Sequence, residues 1–215
     1  MGAACAGRPA PLVPVPVPRA EPALAVAWTE STVPRQRTAV EFRWRYRDER
    51  AGYSGRGVAR VAPPDSLRFD FRGPFGYSGA AAIVGDSVLW TEPSGEFGTL
   101  VRGVPLLWAA LGTVRPPAGD VTVYGEARAG ATVWRFVARG GDTLDYVARD
   151  TTPAVLEAEW RRAGTVRARS RTEYGSDGLP ASARIDFPEA KARFELTVVA
   201  RDTLAAFTPA LWRAR

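Results

Sequence analysis

The sequence predicts a β-dominated fold, one large antiparallel sheet closed or nearly closed on itself with a short helix set against it. Apolar and polar residues alternate with period two in segment after segment, the mark of strands with one wet face. Gly, Pro, Asp and Ser interrupt those segments at regular spacing. One stretch alone, around Leu106 to Leu111, is too densely apolar for an exposed strand. At 215 residues and 46% hydrophobic content, the chain is long enough for one sizeable all-β domain and does not require two.

Residues 1–7 read Met-Gly-Ala-Ala-Cys-Ala-Gly, and the small residues before Cys5 resemble the end of a bacterial lipobox, whose cysteine carries lipid. The alternative is an unmodified thiol in a tail. Residues 8–34 form a Pro-rich tether: Pro9 to Pro18 alternates Pro with Val or Leu and favours extended polyproline. A short helix is expected over 20–28, ended by Pro34. Residues 35–215 make the single domain.

Strand 37–47 is the clearest, with Thr38, Val40, Phe42, Trp44 and Tyr46 on one face and Arg37, Glu41, Arg43, Arg45 and Arg47 on the other. Strand 52–62 follows, and its Gly55 and Gly57 are expected at a bend or bulge. In 67–72, Leu67, Phe69 and Phe71 oppose Arg68, Asp70 and Arg72. Gly73-Pro74-Phe75-Gly76 must then turn, because Pro74 lacks a ladder donor and the glycines tolerate a tight reversal. The turn puts Phe75 at or near a loop tip between Arg72 and Tyr77, the amphipathic company of an interfacial loop. The alternative is a ring folded back on the rim. Strand 80–84 reverses at Gly85-Asp86 into 87–90, which brings Leu89 to the apolar face.

After a loop over 92–98, Pro105 starts a short helix that Gly112 stops. Leu106, Leu107, Trp108 and Leu111 require that helix to sit in the concavity or on its rim, either as a lid or as a permanent core element. Strands over 121–124, 132–139, 143–149, 155–162, 166–174, 182–187 and 192–200 complete a set of about eleven or twelve. Trp134, Phe136, Leu156 and Trp160 join Phe42, Trp44, Tyr46, Leu67, Phe69, Phe71 and Leu89 on the apolar faces. These side chains line a cavity if their shared face is concave, or pack together as a filled core.

The formal charge of +6 comes from 29 basic against 23 acidic residues, spread over many strands rather than clustered. The arginines lie on the faces opposite the aromatics, contrary to a nucleic-acid surface, where stacking rings stand beside the cations. With no His and one Cys, the usual catalytic triads, multi-Cys zinc sites and an intramolecular disulfide are absent. Carboxylate pairs such as Glu157 with Glu159, or Asp142 with Asp145, remain. The former share a face with Arg161 and read as a solvated, salt-bridged surface. No enzyme activity, catalytic residue, metal or cofactor is therefore expected, and no apolar run approaches the roughly 20 residues of a spanning helix.

The order of parts resembles the LolA/LolB superfamily of bacterial lipoprotein-localisation proteins, and within it the outer-membrane receptor branch, LolB. The likeness spans Arg35 to Asp202. It rests on the N-terminal Cys5 with its linker, the paired strands leading to Gly73-Pro74-Phe75-Gly76, and the apolar insertion at Val104 to Gly112. In the C-terminal half, Tyr174 precedes Gly178-Leu179-Pro180 and an alternating strand pair. The resemblance implies an incomplete antiparallel barrel of about eleven strands with short capping helices over a cavity for acyl chains of lipoproteins. It implies membrane contact through Pro74, Phe75 and Tyr77 and through lipid on Cys5. It also implies delivery from a periplasmic carrier protein to a monomer at the periplasmic face of the outer membrane, or in the periplasm if Cys5 carries no lipid. A ligand-free assembly module of the cell envelope is the competing expectation, and a continuous apolar void separates the two.

Overall fold

The computed structural model describes residues 12–13, 17–93, 100, 103–152, 154–204 and 206–213. Cys5 and the 1–7 stretch lie outside the described residues, as do residues 8–11 and 14–16 of the Pro-rich tether and residues 94–99. Twelve antiparallel strands form one open sheet in the order β5-β4-β3-β2-β1-β12-β11-β10-β9-β8-β7-β6. With short α-helices over Pro22–Ser31 and Val104–Ala110, this is an incomplete β-barrel.

The first meander comprises β1 (Arg37–Arg47), β2 (Gly52–Ala62), β3 (Ser66–Arg72), β4 (Ser78–Val84) and β5 (Ser87–Glu92). The second comprises β6 (Val121–Arg128), β7 (Ala131–Ala138), β8 (Thr143–Arg149), β9 (Val155–Arg162), β10 (Thr165–Tyr174), β11 (Pro180–Phe187) and β12 (Ala192–Leu204). The halves join where β1 pairs with β12, from Arg37 opposite Leu204 to Arg47 opposite Arg193. The helices are α1 (Pro22–Ser31) and α2 (Val104–Ala110), each with a proline in its first turn, where the missing N–H costs nothing. α1 therefore begins and ends slightly later than the expected 20–28.

Alternation sends one side chain of every pair inward. Phe42, Phe69, Phe71 and Phe194 are 1–3% exposed and meet mainly edge to face, with centroids near 6 Å for Phe42–Phe69 and Phe71–Phe194. Gly57 makes room for this cluster, since a Cβ there would stand 2.4 Å from the Phe42 ring. Contrary to expectation, β2 has no bulge: its register with β1 and β3 is unbroken through Gly55 and Gly57. The glycines provide space instead, Gly57 for the ring and Gly55 for the Arg72 carbonyl, 1.9 Å from where a Cβ would sit.

The outer face is less wet than the alternation implies. Arg68, expected in solvent, is 2% exposed: it bonds Asp70, donates to the Leu211 carbonyl and lies 5.0 Å over the Trp90 ring. Trp90 in turn donates to the Trp212 carbonyl at 2.9 Å, so the C-terminal segment crosses the outside of β3–β5. On the other half, Val13 is buried outside β7–β9, and Arg135 donates to its carbonyl at 3.1 Å.

Gly57→Ala is expected to lower stability by about 1–3 kcal/mol through overpacking, with part recovered in Gly57→Ala/Phe42→Leu. Thermal unfolding of the two variants beside the wild type measures both effects.

Candidate functional site

The concavity is the first candidate, and its lining follows from register. Phe42, Trp44, Leu67, Phe69, Phe71, Trp134, Phe136 and Leu156 all point inward and are at most 7% exposed. Tyr46 and Trp160 are partly buried against the same core, with the Arg162 guanidinium 5.2 Å over the Trp160 ring. Leu89 is a correction, being 55% exposed. β5 pairs Val88 with Ile83 and Trp90 with Ala82, so Leu89 is the extra residue of a bulge and Val88 takes the inward place.

Both helices stand inside the curve. Trp28 of α1 packs on Trp134 and Tyr146, with centroids 6.4 and 6.2 Å apart, and so covers β7 and β8. α2 lies on β9–β11, and its Leu106, Leu107 and Trp108 are 0–1% exposed, with Leu111 just beyond its end at 6%. Its polar anchors sit toward its C-terminal end. Trp108 donates to the Gly85 carbonyl at 2.8 Å, and Thr172 donates to the Ala109 carbonyl at 2.8 Å. Just beyond, the Thr113 hydroxyl donates to the Thr32 carbonyl and Val114 N–H donates to the Thr32 hydroxyl, which ties α1 to α2. Arg115 lies 4.5 Å over the Trp108 ring, donates to the Pro64 carbonyl and accepts from Tyr146. Burial pushes the Tyr146 hydroxyl well above its ordinary range, so it remains a donor. Trp134 Nε1 and Ser170 Oγ are buried without a partner among the described residues.

The second candidate is one end of the first meander. Pro74–Gly76 is a short 3-10 turn in which Phe75 adopts φ +57° and is fully exposed. The ring does not fold back on the rim. A bulky side chain in left-handed backbone costs on the order of 1 kcal/mol, a cost met elsewhere at functional turns. Tyr77 beside it and Tyr53 at the start of β2 are 38% and 52% exposed, so three aromatics crown this end.

The carboxylates named from sequence are all paired. Asp142 bonds Arg162, and Glu157 bonds Arg149 and Arg171. Asp145 and Glu159 face each other across β8 and β9, both wholly buried. The solvated-surface reading of Glu157 and Glu159 is corrected for Glu159, since Val13 and Arg135, Arg161 and Arg169 enclose it together with Asp145. Desolvation raises the Asp145 carboxyl above its ordinary range, opposed by two 2.7 Å hydrogen bonds from Arg135. This pair stands outside the sheet, away from the concavity. Among the described residues no cluster of three or more His, Cys, Asp or Glu could hold a metal ion, and no helix is long and apolar enough to cross a membrane.

No family model matches the sequence, and no curated protein does either. The fold is shared with a solved structure. A LolA superfamily protein from Nitrosomonas europaea is similar at a TM-score of 0.59 and 10% identity, over 89% of this chain and 97% of that one. An outer membrane lipoprotein-sorting protein domain from Vibrio parahaemolyticus gives a TM-score of 0.49 and 7% identity, over 87% of this chain and 97% of that one. The chain has the fold of a LolA superfamily protein.

Phe75→Gly is expected to hold or raise stability, by up to about 1 kcal/mol, because it relieves the left-handed backbone and removes no contact. A loss above that in thermal unfolding means the ring is packed. Asp145→Ala strands Arg135 and should cost about 3–5 kcal/mol, most of it recovered in Asp145→Leu/Arg135→Met.

Proposed function

We propose that this protein is a cell-envelope carrier that takes the acyl chains of lipoproteins into the concavity and helps place them in the outer membrane, in the manner of the LolB branch. In this reading Cys5 carries the lipid anchor, the Phe75 turn meets the bilayer, and a periplasmic carrier delivers the cargo.

The observation that carries the proposal is α2, an apolar helix occupying the inside of a half-barrel whose remaining lining is aromatic and aliphatic. Fully exposing Leu106, Leu107, Trp108 and Leu111 costs about 1.5–3 kcal/mol each, or roughly 6–12 kcal/mol together. An acyl chain of about 16 carbons gains about 0.8 kcal/mol per buried methylene, roughly 12 kcal/mol. The two quantities are comparable, so a chain can take the place of the helix and later be released. Trp134 Nε1 and Ser170 Oγ would gain partners from the ester groups beside the chain. The fold likeness supports the same reading.

A second reading, a ligand-free assembly module, draws on the same burial of α2, here a permanent core element. The test is a triacylated lipopeptide bearing a photo-crosslinker on one acyl chain. The carrier reading expects crosslinks to inward residues of β1, β3, β9 and β10, competed by unlabelled lipopeptide. Absence of competable crosslinking leaves the assembly module. Separately, Phe75→Asp should weaken sedimentation with phospholipid vesicles several-fold while leaving the unfolding temperature unchanged, since the ring is fully exposed.

A further inference from the structure

The register of the first meander sets three arginines directly side by side on the outer face. Arg43 of β1 is opposite Arg56 of β2, and Arg56 is opposite Arg72 of β3. Like charges in directly opposed positions repel and destabilise a sheet. All three are exposed, and none of their guanidinium groups has a hydrogen-bond or ion-pair partner among the described residues. Their neighbours behave differently: Arg60 and Arg68 on the same face share Asp70, at 2.5 and 2.7 Å. The row lines a groove of about 700 Å³ whose walls hold five arginines against the carboxylates Glu41, Asp70 and Glu92.

Neighbouring strands stand about 4.8 Å apart, so the row spans roughly 10 Å, enough for guanidinium forks to close on a phosphate from two sides. Its position points to the source of that phosphate. Tyr53 and Phe75 each lie three residues beyond the arginine of the row on their side, Arg56 and Arg72, toward the same end of the sheet. Along β2 that is roughly 10 Å of extended chain, and on the β3 side the turn begins two residues past Arg72. Cations set one headgroup depth behind exposed aromatics are the arrangement a protein edge takes at an anionic bilayer.

We propose that the Arg43–Arg56–Arg72 row binds the phosphate of an anionic phospholipid headgroup and so fixes the tilt at which the Phe75 turn enters the membrane. The inference rests on the membrane-facing reading of that turn and is independent of what the concavity holds.

The test is sedimentation of the full chain with phosphatidylglycerol vesicles and with phosphatidylcholine vesicles, beside titration with inorganic phosphate. Arg43→Gln/Arg56→Gln/Arg72→Gln is expected to bind phosphatidylglycerol vesicles on the order of a hundredfold more weakly, with an unfolding temperature equal to or above wild type. Arg19→Gln/Arg35→Gln/Arg139→Gln, which removes the same charge elsewhere, should stay within about threefold of wild type. Equal losses in the two variants, or no loss in the first, overturn the proposal. So does saturable binding of inorganic phosphate to the row without vesicle binding. Failure here with lipopeptide crosslinking intact removes this inference alone, whereas loss of crosslinking with row-dependent vesicle binding removes the carrier reading alone.

Discussion

The pairing of β1 with β12 governs the rest of the molecule. It joins the two meanders at their outermost strands in sequence, which leaves β5 and β6, consecutive along the chain, at opposite edges of the sheet. The connection between them must therefore cross the open side of the curve. A polar crossover would remain in solvent, whereas one containing Val-Pro-Leu-Leu-Trp-Ala-Ala is drawn inside, because each large apolar side chain gains a few kcal/mol on burial. Strand order and the composition of one seven-residue helix together put an apolar plug into an apolar half-barrel.

The two faces of the sheet solve different problems. Inside, aromatic rings and aliphatic chains meet, and few polar atoms need partners. Outside, the arginines are of two kinds. Some of those sharing carboxylates are drawn into networks covered by chain ends, as with Arg68 beneath Leu211 and Arg135 beneath Val13. Those in the Arg43 row have no acid opposite them in either neighbouring strand of the first meander. A sheet that places acids across from arginines so often elsewhere, as with Asp145 near Arg135 and Glu157 near Arg171, shows that an unpaired row is no consequence of composition alone.

Period-two alternation and turn residues made all twelve strands and the apolar helix legible, because both are local properties of sequence. What escaped reading depended on partners distant in the chain. Leu89 alternates correctly on its own strand, and only the bulge opposite Ala82 and Ile83 moves it outward and Val88 in. Gly57 has the residue type of a bulge, and only the Phe42 ring on the next strand reveals it as a space. Arg68 and Glu159 carry the charge of surface residues, yet chain ends more than a hundred positions away bury them. The Phe75 turn was readable because Gly-Pro-Phe-Gly dictates its geometry locally. The Arg43 row is invisible strand by strand, since it exists only once three strands are in register.

The anchoring of α2 is uneven, and this bears on how such a plug could leave. Toward its C-terminal end it is tied through Trp108 to Gly85 and through Ala109 to Thr172, and the next residues bind Thr32, Pro64 and Tyr146. At the other end Gly103 supplies no side-chain cap, and the Phe187 ring lies against its Cα. First-turn N–H groups without a cap are the weakest part of a helix, and apolar contact there has no directional hold. Between the anchored part and the next segment Gly112 takes φ +81°, a backbone state only glycine adopts freely. A displacement that begins at the N-terminal end of α2, ahead of Trp108, would break apolar contacts that an entering chain can replace. Movement of the opposite end would also break the hydrogen bonds of Trp108 and Thr172, at a cost of about 1–3 kcal/mol each beyond the lost apolar burial.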